Sequence, residues 1–503
     1  MNVTTAKGAI RKPLLPGLSR YMSALHRWAG IGLCLIIALW FVSGSVLSFV
    51  PFPSLSIAER VARSEPIDTS LLRVEPKSAL LTEGASFIES ARLINVQRQP
   101  RYVLTLPGQP ALSVSAETGQ PLPLLSRSVA RAVGSEFAGL ELEALQGPFD
   151  YDQWVVHRAY DAYRPFYKVS LRDAAGTQLY VSARTGEVLQ RTRRSERAWN
   201  YVGAVAHWIS PTFLRKRDSR WREVVWTLAL SGIVLTLAGI FLGVLRYVNL
   251  KRQRRPGLSP FRGWLRWHHS TGLFVGVLVF GGILSGWLGL DGIFFFSNDQ
   301  PSVERIERMR GISLTDAAGA FPLSLIQRLG TAREITFTAI AAQPLLLLRN
   351  QGAGSLQVVS TETDLASMKI DAVVPDALLL SAVQRAWPSL QVLRMEHVTA
   401  TDAYSLRSSP FPPTTRRLVL SDTTGTWIHM DAATGEVISI MDTSRRVRRW
   451  VVDGMHTFDL PLLNRAGPLW HVLLLVATSA GLLFSCTGIA LALRRLRRNL
   501  LRI

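Results

Sequence analysis

His26-Arg27-Trp28-Ala29-Gly30 opens an apolar run carrying Ser43-Gly44, and His268-His269-Ser270-Thr271-Gly272 opens another carrying Ser285-Gly286. His268, Gly272 and Gly286 each lie 242 residues after their counterparts in the first run. Further along, Thr185-Gly186-Glu187-Val188 returns as Thr434-Gly435-Glu436-Val437, displaced by 249 residues. The same displacement relates His207 to His456, Trp221 to Trp470, Gly232 to Gly481 and Gly239 to Gly488. A register held without a gap through more than fifty residues points to an internal duplication. Each half then reads as span, large domain, span.

Four apolar stretches, Ala29–Val50, Val224–Tyr247, Thr271–Phe296 and Val472–Leu493, are long enough for a hydrocarbon core that needs about 20 helical residues. The formal charge of +21 is placed unevenly. Lys7, Arg11, Lys12, Arg20 and Arg27 precede the first span. Lys251, Arg252, Arg254, Arg255, Arg262 and Arg266 separate the second from the third, and Arg494, Arg495, Arg497, Arg498 and Arg502 follow the fourth. None of these segments holds an Asp or Glu. Short, purely basic flanks are the positive-inside signal, so both termini and the middle loop are expected in the cytoplasm. The basicity is an orientation signal, with the lipid bilayer as partner and no nucleic acid. The expected layout is a cytoplasmic N-terminus (1–28), spans at 29–50, 224–247, 271–296 and 472–493, large domains at 51–223 and 297–471, a cytoplasmic loop (248–270) and a cytoplasmic tail (494–503). The first span runs into Pro51-Phe52-Pro53 without a small-residue cleavage site, which reads as an uncleaved anchor. The two cysteines, Cys34 and Cys486, fall inside spans, so disulfides and Cys-ligated metals are not expected in the large domains.

Those domains alternate strand-like and helix-like runs. Arg101–Leu106, Tyr167–Leu171 and Gln178–Ser182 alternate as half-buried strands do. The Thr-Gly-Glu-Val motif reads as a tight turn followed by a strand, with a further copy at Ala116-Glu117-Thr118-Gly119 and a degenerate one at Thr361-Glu362-Thr363. The expected class is a membrane α-helical protein, a four-helix transmembrane bundle, with two α+β domains.

The His-x-x-x-Gly openings, the repeated Thr-Gly-Glu-Val turns and His456-Thr457-Phe458 before the last span resemble the PepSY-associated transmembrane family, over essentially the whole chain. The resemblance makes the large domains PepSY-like and periplasmic, in a multi-pass protein of the bacterial inner membrane. Within that family the chain resembles the inner-membrane siderophore reductases, which bind two haems in a four-helix bundle. The nucleotide-binding modules that some relatives append have no counterpart here, since no strand precedes a G-x-G-x-x-G run.

Six of nine histidines lie at or near the span boundaries: His26, His207, His268, His269, His456 and His471. Histidine beside a span is costly without a partner. Two b-type haems would give the partner, because a low-spin haem takes two imidazole ligands from facing helices. His26 and His268 share one level and His207 and His456 the other, so pairing across the repeat gives one haem near each face. Gly30 and Gly272, one turn deeper than the first pair, would leave room for a flat macrocycle. His269 and His471 are rival ligands; His269 is about 100° around the helix from His268, so both cannot face one iron. Arg197, Arg446 and Arg449 are candidates for the outward haem propionates. The boundary tryptophans read as an aromatic belt.

The resemblance implies a haem-dependent oxidoreductase that reduces a ferric siderophore in the periplasm, with quinol or a cytoplasmic reductase as electron donor. Reduction to Fe(II) loosens the grip of hard oxygen ligands, releasing iron for uptake. Two other readings stay open: a non-redox PepSY-type binding or regulatory protein, and a di-haem conduit serving a partner enzyme. Hydrolase, zinc-enzyme and NTPase classes lack their motifs.

Overall fold

The computed structural model describes residues 15–81, 87–290, 295–329, 332–350, 356–361, 368–465 and 467–501. Lys7, Arg11, Lys12, Arg502 and the Glu362-Thr363 pair of the degenerate turn lie outside them. The chain divides into a helical unit (up to 51, 199–295 and 448–503) and a sheet unit (52–198 and 296–447).

Four helices are long and apolar enough to cross a membrane: Pro16–Phe49, Asp218–Arg252, Gly263–Gly289 and Pro468–Leu500. Even the shortest, of 27 residues, is about 40 Å long, against a hydrocarbon core of about 30 Å. The chain is a multi-pass membrane protein. The first helix packs on the second and fourth, as does the third, so the first and third stand diagonally across the bundle. Ile37, Ala229, Ile233, Leu235, Val279 and Ile283 fill its centre. Gly481 lies against Phe41 and Gly232 against Ile283, the close approach that small residues allow where no water drives helices together.

Two short stretches precede the second and fourth helices and belong to the same unit. Each contains a π-helical turn, Tyr201–Val205 and Arg449–Gly454, and then a residue in the left-handed region, Ile209 (φ 48°) and Phe458 (φ 53°), before it reaches the spanning helix. For a β-branched or aromatic residue that conformation costs about 1 kcal/mol or more and persists only where the surroundings impose it. Each turn is pinned to the helix that follows: Trp221 Nε1 donates to Trp208 O at 2.9 Å and Trp470 Nε1 to Thr457 O at 2.9 Å. The indoles expected in an interfacial belt thus also hold these two elbows. The layout drawn from sequence gave both elbows to the large domains; by packing they belong to the helices.

The sheet unit is α+β. A seven-stranded sheet runs in the order Met368–Asp371, Leu356–Thr361, Gln343–Arg349, Glu334–Ile340, Ser90–Val96, Gln99–Thr105, Leu112–Ser115. Its central pairing is antiparallel, Arg92 facing Thr336, so strands from both segments join in one sheet rather than two. Two four-stranded sheets flank it, Leu142–Phe149 to Val188–Thr192 and Val392–His397 to Val437–Met441, each connected in sequence order. In both, Thr-Gly-Glu-Val forms the last hairpin turn, with Gly186 at φ 79° and Gly435 at φ 76°, where glycine avoids the Cβ penalty.

A buried ion cluster ties this unit together. Glu187, from the first such turn, takes two bonds from Arg92, at 2.6 and 2.9 Å, and pairs with Arg60. Glu334 accepts from Arg60 at 2.8 Å, Arg92 at 3.1 Å and Arg349 at 3.1 Å. Burial alone would raise the Glu334 carboxyl, but Arg60, Arg92 and Arg349 outweigh it and hold it at about 2.

Candidate functional site: two histidine pairs

The diagonal helices bring His26 and His268 together, with ring centroids 6.1 Å apart and planes at 43°. At the other end of the bundle the elbows bring His207 and His456 to 5.9 Å and 57°. His26 and Gly44, which backs His207, are 18 residues apart on the first helix, about 27 Å at 1.5 Å per residue. The pairs therefore occupy opposite ends of the bundle.

The four rings are fixed in the same way. His26 Nδ1 meets Leu235 O at 3.0 Å and His456 Nδ1 meets Gly282 O at 3.0 Å. A carbonyl only accepts, so both rings carry their proton on Nδ1. His268 Nδ1 meets Thr487 Oγ1 at 2.8 Å, and that hydroxyl donates to Phe484 O at 2.6 Å. His207 Nδ1 meets Ser43 Oγ at 3.1 Å, whose proton goes to Leu39 O at 2.6 Å. Each hydroxyl proton being committed, Nδ1–H is the donor there too. Nε2 of all four keeps a lone pair and has no hydrogen-bond partner among the described residues.

Glycine clears the space beside every ring. A Cβ on Gly239 would meet His26 Cε1 at 2.6 Å, one on Gly286 would meet His456 Cε1 at 3.0 Å, and one on Gly44 would meet His207 Cε1 at 3.2 Å. Gly488 faces His268 Cε1 at 3.7 Å. The glycines singled out from sequence do something else: Gly30 faces Leu235 and Gly272 faces the Phe484 ring, which itself stacks on His268 at 4.8 Å. The signal for the right glycines was the repeat, since Gly239 and Gly488, like Gly44 and Gly286, are equivalent positions.

The remaining histidines stand apart from the pairs. His269 turns toward the second helix, where Nε2 meets Gly243 O at 3.1 Å and the ring abuts Phe261. His471 stacks on Phe49 at 5.3 Å and edges against Trp470. His157 Nδ1 caps a turn at Ala159 N, and His397 bonds Pro413 O. His429 is fully buried with both nitrogens used, Nε2 accepting from Arg417 Nε at 2.8 Å and Nδ1 bonding Ser439 Oγ at 3.1 Å. Burial, and then the Arg417 charge, push it down to about 3.

The arginines expected near the outward pair have other work. Arg197 donates to Thr192 O and Gly176 O, and Arg446 to Met441 O and Gly425 O, the same two carbonyls in each half. They clamp the sheet termini. Arg449 is buried against Asp459, with bonds to its carbonyl at 2.7 Å and its carboxylate at 3.1 Å.

Residues 23–304 match the family described as PepSY-associated TM region. No curated protein matches the chain.

Proposed function

The chain belongs to the PepSY-associated transmembrane family, and we propose that it is a di-haem oxidoreductase of the bacterial inner membrane that reduces ferric siderophores on the periplasmic side. One observation carries the reading: two histidine pairs with centroids 6.1 and 5.9 Å apart, whose Nε2 atoms have no hydrogen-bond partner among the described residues. Rings about 6 Å apart would let both Nε2 atoms of a pair reach one metal at about 2 Å each. His26 with His268, and His207 with His456, would each hold one haem iron.

Two b-type haems held there would supply one-electron exchange at each end of the bundle. The protein's own part is positional. Nδ1–H donation to Leu235 O, Thr487 Oγ1, Ser43 Oγ and Gly282 O fixes each tautomer and raises the basicity of the opposite nitrogen. Gly239, Gly488, Gly44 and Gly286 keep the flanks of the rings clear. The bundle core of Ile37, Ile233, Leu235, Val279 and Ile283 excludes water between the sites. The basic segments set the orientation, with His26 and His268 at the cytoplasmic end, where quinol or a cytoplasmic reductase would deliver electrons.

The test is anaerobic reoxidation of dithionite-reduced protein by a ferric siderophore in the presence of a ferrous-iron trap. Reoxidation matched by trapped Fe(II), and abolished by His207→Ala, is the expected result. Haem that ferric chelates fail to reoxidise would favour a conduit for a partner enzyme. Protein without haem would favour a non-redox binding role.

A further inference from the structure

We infer that the two elbows are lipid-embedded anchors, inserting Phe213 and Leu462 into the leaflet and seating an acidic phospholipid headgroup on Lys216, Arg217 and Arg220. Phe213 is 73% exposed and Leu462 82% exposed, among the most exposed large apolar side chains described. They are equivalent positions, 249 residues apart. Each elbow thus has its most exposed large apolar side chain at the same place. Scattered exposed leucines need no explanation, but a matched pair of tips does.

Their place along the chain identifies what covers them. The spanning helices begin at Asp218 and Pro468, only five and six residues after the tips. The tips are therefore continuous with helix surfaces that face lipid, at the level where the bilayer ends. Trp199, Tyr201 and Trp208, all exposed on the first elbow, are the side chains that favour that level. Charge distinguishes the two elbows. Lys216, Arg217 and Arg220 are exposed, and none of their side chains has a hydrogen bond or ion pair among the described residues. Arg215, between them and Phe213, is already committed to Asp218 and the Trp221 ring. At the positions equivalent to Lys216, Arg217 and Arg220 the second half has Arg465, Ala466 and Leu469, the last 47% exposed. The first anchor therefore carries three basic residues where the second keeps one. A wedge with a cationic rim is the chemistry of an acidic lipid surface.

The inference stands apart from the haem proposal and is tested without it. In a Cys34→Ala/Cys486→Ala background, a nitroxide is attached at Phe213→Cys or Leu462→Cys in the full chain, reconstituted into phosphatidylcholine/phosphatidylglycerol vesicles. Both labels should be several-fold more accessible to oxygen than to a water-soluble nickel chelate. A label at Arg131→Cys, exposed in the sheet unit, should show the reverse. Tips that see the nickel chelate as Arg131 does, or that are shielded from both reagents as in a protein contact, would overturn the anchor. Independently, mass spectrometry of lipids retained by the unlabelled protein should show phosphatidylglycerol enrichment that falls roughly five-fold in Lys216→Glu/Arg217→Glu/Arg220→Glu. Unchanged enrichment would remove the headgroup assignment, as would displacement of the lipid by excess inorganic phosphate, which would assign a free-anion site.

Discussion

His429 in the sheet unit and His456 in the helical unit each commit Nδ1 to a hydrogen bond, and they differ at the other nitrogen. His429 Nε2 accepts from Arg417, whereas His456 Nε2 has no partner among the described residues, in a ring 5.9 Å from that of His207. The contrast extends through both units. In the sheet unit Glu187 and Glu334 are surrounded by Arg60, Arg92 and Arg349. In the helical unit four histidines repeat one half-satisfied arrangement. A polar group satisfied on every side holds a fold together; the same open nitrogen, repeated in facing pairs, is a place for a ligand.

Substitution of the histidines should separate the two units most clearly. His207→Ala or His26→Ala should remove one haem and leave the other, read as a halved pyridine haemochrome count, whereas His429→Ala should leave the count unchanged. Equal counts in all three variants would erase the distinction between the units. The ion cluster comes next. Glu334→Ala should cost the sheet unit about 3–5 kcal/mol, since it leaves guanidinium groups buried without their carboxylate; the thermal transition of the full chain in detergent measures it. Because the Glu334 carboxyl is held below its ordinary value, its stabilisation is full above pH 4.5 and fades as pH falls toward 2. Acid unfolding should therefore be steep in that window for the wild type and flatter in Glu334→Gln.

Within the helical unit the glycines beside the rings should grade haem retention. Gly239→Ala should disturb haem retention most, then Gly286→Ala, then Gly44→Ala, with Gly488→Ala nearly silent, following clearances of 2.6, 3.0, 3.2 and 3.7 Å. Low-spin haem content across the series checks the order, and a flat series would mean the rings are free to shift. The smallest effect is expected at Ser439→Ala, which removes one of two bonds to His429. It should cost about 1 kcal/mol in the same thermal transition and leave haem content alone.

The spans, their basic flanks and the equivalence of His26 with His268 were legible because hydropathy and charge act over many residues at once. The same holds for His207 and His456, whose shared displacement put them at one level. The elbows were not legible: a π-helical turn and a left-handed Ile209 or Phe458 follow from packing against the bundle, and neither residue type signals such a turn. The joint seven-stranded sheet was hidden for a related reason. Pairing of Ser90–Val96 with Glu334–Ile340 links positions far apart in the chain, and strand periodicity reports burial but not partner. Arg197 and Arg446 show the converse error, where charge beside a predicted boundary suggested an anion and the side chains cap carbonyls instead.

Each pair of open Nε2 atoms is proposed to hold one iron. A visible spectrum of the detergent-purified protein, oxidised and dithionite-reduced, with a haemochrome count, decides this. Sharp b-type bands and two haems per chain are expected. Colourless protein from haem-replete cells would overturn it.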